Sequence, residues 1–200
     1  MPFAKEPYRL EGRAALIAGP ANELSRQVAA ALTAGGAAVS QPLIELPLSS
    51  EMNACLEAAE ILILQTHIDA ADLPTAPDDW GAIDRFYQGV VTIPTALMAK
   101  AIPAMRRRRW GRIIFIAGED HATPAAISVR SAQSALMQAE ARQLAAAGIT
   151  VNLVLAKNGN GPLNAELAPS VAAAVLYFAG DESAFVTGQT LQLGAEFSSK

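Results

Sequence analysis

Short apolar runs that alternate with segments of helical period predict an α/β fold, a doubly wound, mostly parallel sheet with helices on both faces. Two observations carry this expectation. Ala14-Ala-Leu-Ile-Ala18 and Ile61-Leu-Ile-Leu64 are brief runs with no polar residue, the composition of strands covered on both faces. Between such runs the apolar residues recur every three or four positions, and glycine or proline separates the two patterns.

Taken in order, Gly19-Pro20 breaks the first run. Leu24, Val28 and Leu32 then recur at helical spacing, with Asn22 as the cap. Gly35-Gly36 ends that helix and Ala37-Ala-Val-Ser40 reads as a second strand, so the chain opens with a right-handed βαβ unit. Ser50 to Ala59 is helix-like and leads into the strand at Ile61. Ile83, Phe86, Tyr87, Val90 and Leu97 mark a long helix, which Pro94 is expected to kink. Arg112-Ile-Ile-Phe-Ile-Ala117 is a strand, and Ala132, Ala135, Leu136 and Ala139 mark the next helix, ending near Gly148. Thr150 to Leu155 is a strand, Leu167, Val171, Val175 and Phe178 line another helix, and Thr190-Leu-Gln-Leu193 closes the series.

The chain has 200 residues, 52% of them apolar and 17% charged, which is the make-up of one well-packed domain, here residues 10–200 behind a tail at 1–9. No apolar run reaches the roughly 18 residues that cross a bilayer, and the N-terminus lacks the apolar core of a signal peptide. Cys55 is the single cysteine, so a cytoplasmic location is expected, and its place in a helix reads as packing, not as a nucleophile. A net charge of −4 points to neither nucleic acid nor membrane as a partner. The basic run Arg106-Arg107-Arg108-Arg109 before Trp110 has a plainer reading than a nucleic-acid patch: it sits where a helix should stop, and last-turn carbonyls favour positive side chains.

Four stretches resemble the short-chain dehydrogenase/reductase family in sequence and order. They are Leu10-Glu-Gly-Arg-Ala-Ala-Leu-Ile-Ala-Gly19, then Ala101-Ile-Pro-Ala-Met-Arg leading into Gly111-Arg-Ile-Ile-Phe-Ile, then Ala147-Gly-Ile-Thr-Val-Asn152, and Asp181-Glu-Ser-Ala-Phe-Val-Thr-Gly-Gln-Thr190. The resemblance implies a Rossmann-like, dinucleotide-binding-type domain. It also marks two shortened regions. Between Ser40 and Ser50 there is no room for the family's extra helix and strand, and after Leu155 the substrate-covering lobe shrinks to Ala156-Lys-Asn-Gly-Asn-Gly-Pro-Leu.

Compared position by position, this sequence departs from the family's chemistry. The family's phosphate loop, Thr-Gly-x-x-x-Gly-x-Gly, corresponds to Ala18 through Ser25, where Gly19 alone of its glycines survives. Gly19 and Asn22 are what remains of a cofactor site. Glu23 stands at the second glycine and puts a carboxylate where a pyrophosphate would lie, worth roughly 3 kcal/mol of repulsion at about 5 Å and an effective dielectric of 20. It could equally serve the positive end of the helix. Ser40, Gln41, Pro42 and Leu43 offer neither the acid for a ribose nor the arginine for a 2′-phosphate. The serine, tyrosine and lysine that carry hydride-transfer chemistry in the family correspond to Gly118, Val129 and Gln133, and its relay asparagine falls near Phe86. Arg130 lies beside the lysine position, not on it.

Other residues could stand in. His67 and His121, the only histidines, follow strands expected to be neighbours, and Glu119 and Asp120 share a loop with His121. Such a cluster could do acid–base work, or these are ordinary polar loop residues; no metal motif is present. The leading expectation is therefore a non-catalytic family member without a cofactor. It would assemble with itself or with a related dehydrogenase subunit through the helices at 83–105 and 131–147 and through the last helix and strand. The alternatives are an atypical NAD- or NADP-dependent oxidoreductase using the histidine loops, and a small-molecule binding or sensor protein. Whether the chain is an enzyme stays open at this point.

Overall fold

The structure, a computed structural model, describes residues 8–66, 79–118, 123–157 and 167–194. Six strands form one parallel sheet: β1 (Ala14–Ala18), β2 (Ala38–Ser40), β3 (Ile61–Gln65), β4 (Gly111–Gly118), β5 (Ile149–Lys157) and β6 (Thr190–Gly194), in the spatial order β2-β1-β3-β4-β5-β6. Every pairing is parallel, with Leu16 opposite Leu62, Leu64 opposite Phe115 and Phe115 opposite Leu153. This is the Rossmann-like arrangement expected from the alternation. The sheet reverses its direction of growth between β1 and β3, and the crevice beyond their carboxyl ends is where ligands bind in such folds.

Helices cover both faces because side chains alternate along each strand. One face carries α1 (Glu23–Ala34) and α6 (Ala168–Ala179), whose Val28, Leu32, Val171 and Val175 are fully buried against Ile17, Ile63, Ile114 and Val154. On the other lie α2 (Ser50–Ala58), α4 (Ile93–Arg108) and α5 (Pro124–Leu144), which bury Leu56, Met98 and Met137 against Leu62, Phe115 and Val151. Cys55 is partly buried against this second core. Among the described residues no helix is long and apolar enough to cross a membrane.

Two boundaries differ from the sequence expectation. The helix expected over 83–105 starts at Trp80 as α3 (Trp80–Tyr87) and passes through a π-helical turn at Gln88–Thr92 before α4 begins. The break thus lies in the turn before Pro94. A proline has no N–H to continue the ladder and crowds the carbonyl of the preceding turn, so the chain opens there, while Pro94 itself sits comfortably in the first turn of α4. Helix α5 starts earlier than expected, where Thr123 caps it by accepting from the Ala126 N–H and Pro124 supplies a first-turn proline. The connection from Ser40 to Ser49 contains no strand. Arginines 106 to 108 form the last turn of α4 and Arg109 closes it in the left-handed conformation, as the plainer reading of that basic run required.

Asn152, fully buried in β5, ties the chain's last strand to the sheet. Its amide donates to the Val186 carbonyl at 2.8 Å and its carbonyl accepts from the Gln189 N–H at 3.1 Å. Gly148 turns the chain from α5 into β5 with φ of 75°, and a Cβ there would lie 2.4 Å from the Arg109 carbonyl oxygen. Gly148→Ala should therefore cost about 3 kcal/mol or more, whereas Gly12→Ala, with φ of 77° but open space around it, should cost about 1 kcal/mol. Urea denaturation of the two variants measures the difference, and equal losses would contradict the steric role given to Gly148.

Candidate functional site

The crevice is built from the loop after β1, the end of β3 and the start of α5. At its centre Gly19 lies against Gln65, so closely that a Cβ on Gly19 would sit 2.6 Å from Gln65 Cβ. The Gln65 amide then donates to Asn22 Oδ1 at 3.2 Å, bridging the two strand ends. That same Asn22 oxygen accepts the Ser25 N–H, and Ser25 Oγ accepts the Asn22 N–H, both at 3.0 Å. This reciprocal capping box satisfies amide groups that a phosphate would otherwise claim. From the outer side the Gln41 amide donates to the carbonyls of Gly19 and Pro20 at 3.3 and 3.2 Å.

Gly19 and Asn22, the expected remnants of a cofactor site, are thus used for packing and capping. Glu23 behaves as the helix-terminus reading allowed. Its carboxylate pairs with Arg26 and accepts the Gln27 amide at 2.8 Å, so its charge is partly neutralised and the repulsion computed for an isolated carboxylate is an upper bound. The bridge, the cap and the acidic first turn do not fit a dinucleotide's pyrophosphate.

Where the family's acid–base residues would stand, this chain is packed. Val129 is buried with Phe86, Val90 and Ala126 in a small apolar cluster of its own. Gln133, 1% exposed, donates to Thr66 Oγ1 at 2.6 Å and accepts from the Arg130 guanidinium at 3.2 Å. Thr66 Oγ1 in turn donates to the Ile116 carbonyl at 3.1 Å, and the Thr66 carbonyl accepts from Arg130 at 3.3 Å. Arg130 also lies over the Phe86 ring, its Cζ 5.5 Å from the centroid. Gly118 ends β4 as a buried strand residue with no side chain to offer. The network joins β3, β4 and α5 and holds the Thr66 hydroxyl and the Gln133 amide on fixed partners.

Of the polar cluster expected from sequence, His67, Glu119, Asp120 and His121 all lie outside the described residues. Among the described residues no three His, Cys, Asp or Glu side chains come together as a metal would need. In the resemblance Leu64-Gln-Thr-His67 corresponds to the family's Asn-Asn-Ala-Gly stretch, but Gln65 and Thr66 were not singled out as site residues. Their signal was the pair Gln65-Thr66 directly after an all-apolar strand, which placed two hydrogen-bonding side chains at the switch point.

No protein-family model matches the chain, and no curated protein matches it either. A solved structure described as a dehalogenation enzyme shares the fold, with a TM-score of 0.78 over 92% of this chain and 98% of that one, at 19% sequence identity. The likeness is one of architecture.

The buried network gives a test. Gln133→Leu removes the donor to Thr66 and the acceptor for Arg130 and should cost about 1–3 kcal/mol. Gln133→Lys should cost more, because it places an ammonium in a dry site beside a guanidinium. Guanidinium chloride unfolding should rank wild type above leucine above lysine; a lysine variant as stable as wild type would mean that water reaches this site.

Proposed function

We propose that the chain is a non-catalytic relative of the short-chain dehydrogenase/reductase family, acting as an assembly subunit that pairs with itself or with a related subunit. The observation that carries the reading is the replacement of a proton-transfer site by the Val129–Phe86 apolar cluster and the Gln133–Thr66–Arg130 network. Valine exchanges no proton, and a glutamine whose amide is held at both ends cannot activate a neighbour. The same argument makes NAD or NADP an unsuitable ligand, since Asn22 and Gln65 occupy each other across the crevice. The dehalogenation enzyme that shares the fold implies no such activity here, because at 19% identity the likeness is one of architecture.

Assembly is supported by the outward face of α5. Ile127, Ser131, Ala135 and Ala139 recur at four-residue spacing and are all exposed, a shallow stripe against which a partner helix can approach closely. Helix α4 offers Ala96, Ala99 and Pro103 in the same way, and α3 exposes Trp80 and Tyr87. Sedimentation equilibrium at micromolar protein should give a defined oligomer, or a stoichiometric complex with a related subunit. Ala135→Glu with Ala139→Arg should weaken it at least about tenfold while leaving the melting temperature of the protomer nearly unchanged. A wild-type monomer that also joins no related subunit would overturn the assembly role.

A further inference from the structure

Trp110, between α4 and β4 at the amino ends of the strands, stands at the opposite end of the sheet from the crevice. Two guanidinium groups stack on its ring, Arg13 Cζ at 3.8 Å and Arg112 Cζ at 4.2 Å from the centroid, and its indole N–H donates to Asp181 at 3.1 Å. Arg112 is 2% exposed, an uncommon place for a charge. It donates to the carbonyls of Gly111, Gly148 and Gly180 at 3.0–3.4 Å, and its carboxylate partner, Asp181, is 3.4 Å away and 69% exposed. Burial lowers the pKa of Arg112 from its ordinary value, the Asp181 charge only partly opposing it. The positive charge is thus held in place more than it is neutralised.

Beside this stack is a cavity of about 420 Å³, within the range that holds small ligands. Its wall has two characters. One side is apolar, with Trp110, Ile149 and Phe185, the last an aromatic ring wholly exposed to water. The other is cationic and rich in hydrogen-bond donors. Arg112 is there, with Arg109, which makes no ion pair among the described residues, and Thr150, the residue in register with Arg112. The Thr150 hydroxyl is buried and has no hydrogen-bond partner, a condition that native interiors seldom leave without a reason. Two guanidiniums against the single carboxylate of Asp181 give the lining a net charge of +1.

We propose that this cavity binds a small planar monocarboxylate. The carboxylate would lie toward Arg109 and Arg112, within reach of the Thr150 hydroxyl, and the planar body would cover Phe185 and the Trp110 edge. A net charge of +1 suits a monoanion better than a phosphate dianion, and a flat apolar wall suits an aromatic or conjugated body better than a sugar. The Arg109 backbone sits at φ of 53°, with Gly148 packed against its carbonyl. The site lies away from the crevice and stands whether or not the assembly role holds.

Benzoate is the probe, titrated at constant ionic strength into the full chain carrying Trp80→Phe, so that Trp110 is the only indole. Its fluorescence should change saturably with benzoate and not with benzyl alcohol, the neutral analogue. Arg109→Ala should raise the dissociation constant about tenfold and Thr150→Val several-fold, both variants keeping the wild-type circular dichroism. Amide shifts on binding should cluster at Gly148 and Thr150 and spare Gly19. A linear response, an equal response to benzyl alcohol, or saturation indifferent to Arg109→Ala would overturn the proposal.

Discussion

The contact of Gly19 with Gln65 governs what this sheet can do. In a doubly wound fold the two strands at the reversal point diverge at their carboxyl ends, and the gap between them receives the ligand. Here the β3 end leans against the first residue of the β1 loop, with no space for even one added carbon on Gly19. The Gln65–Asn22 hydrogen bond then spans what remains, and Asn22 can serve it only because the same oxygen already anchors the first turn of α1. One side chain thus fixes a helix start, a loop and a neighbouring strand. Removing it would leave the Ser25 N–H and the Gln65 amide without their acceptor.

A second constraint follows on the α5 side. A catalytic tyrosine and lysine need water, an open face and a pKa held away from its ordinary value. Val129 and Phe86 exclude water, and Gln133 satisfies Thr66 and Arg130 with both ends of its amide. An apolar Val129 and a neutral Gln133 amide are easier to bury than the ionisable tyrosine and lysine that the resemblance would put there. Among the described residues, the outer faces of α3, α4 and α5 and the cationic cavity at the far end of the sheet stay open to other molecules.

The fold was legible because its signals are local. All six strands and both helical layers follow from period and turn residues, and Asn22 was recognisable as a cap from its place before Leu24, Val28 and Leu32. The π turn at Gln88–Thr92 was less so: Gly89 and Pro94 announce a disturbance, but neither specifies a π turn over a simple kink. For the site, sequence identified the losses at Val129 and Gln133 but not what replaced them. Thr66, to which Gln133 donates, and Asn22, to which Gln65 donates, are 67 and 43 residues away along the chain, a distance that no local pattern encodes. Arg112 was hidden for a similar reason. Within Arg112-Ile-Ile-Phe-Ile it reads as the polar start of a strand, and only the tertiary fold brings the Gly180 carbonyl and Asp181 to it.

The bridge between the ends of β1 and β3 is the feature on which the rest turns, and calorimetric titration of the protein with NADH and NADPH at moderate ionic strength tests its consequence most directly. The account predicts no saturable heat up to millimolar nucleotide, because binding would have to break the Gln65–Asn22 bridge and displace the α1 cap before gaining any contact. Micromolar affinity for either nucleotide would contradict it, and would mean that the switch point opens at small cost and that the protein works as an oxidoreductase by a mechanism built on other residues.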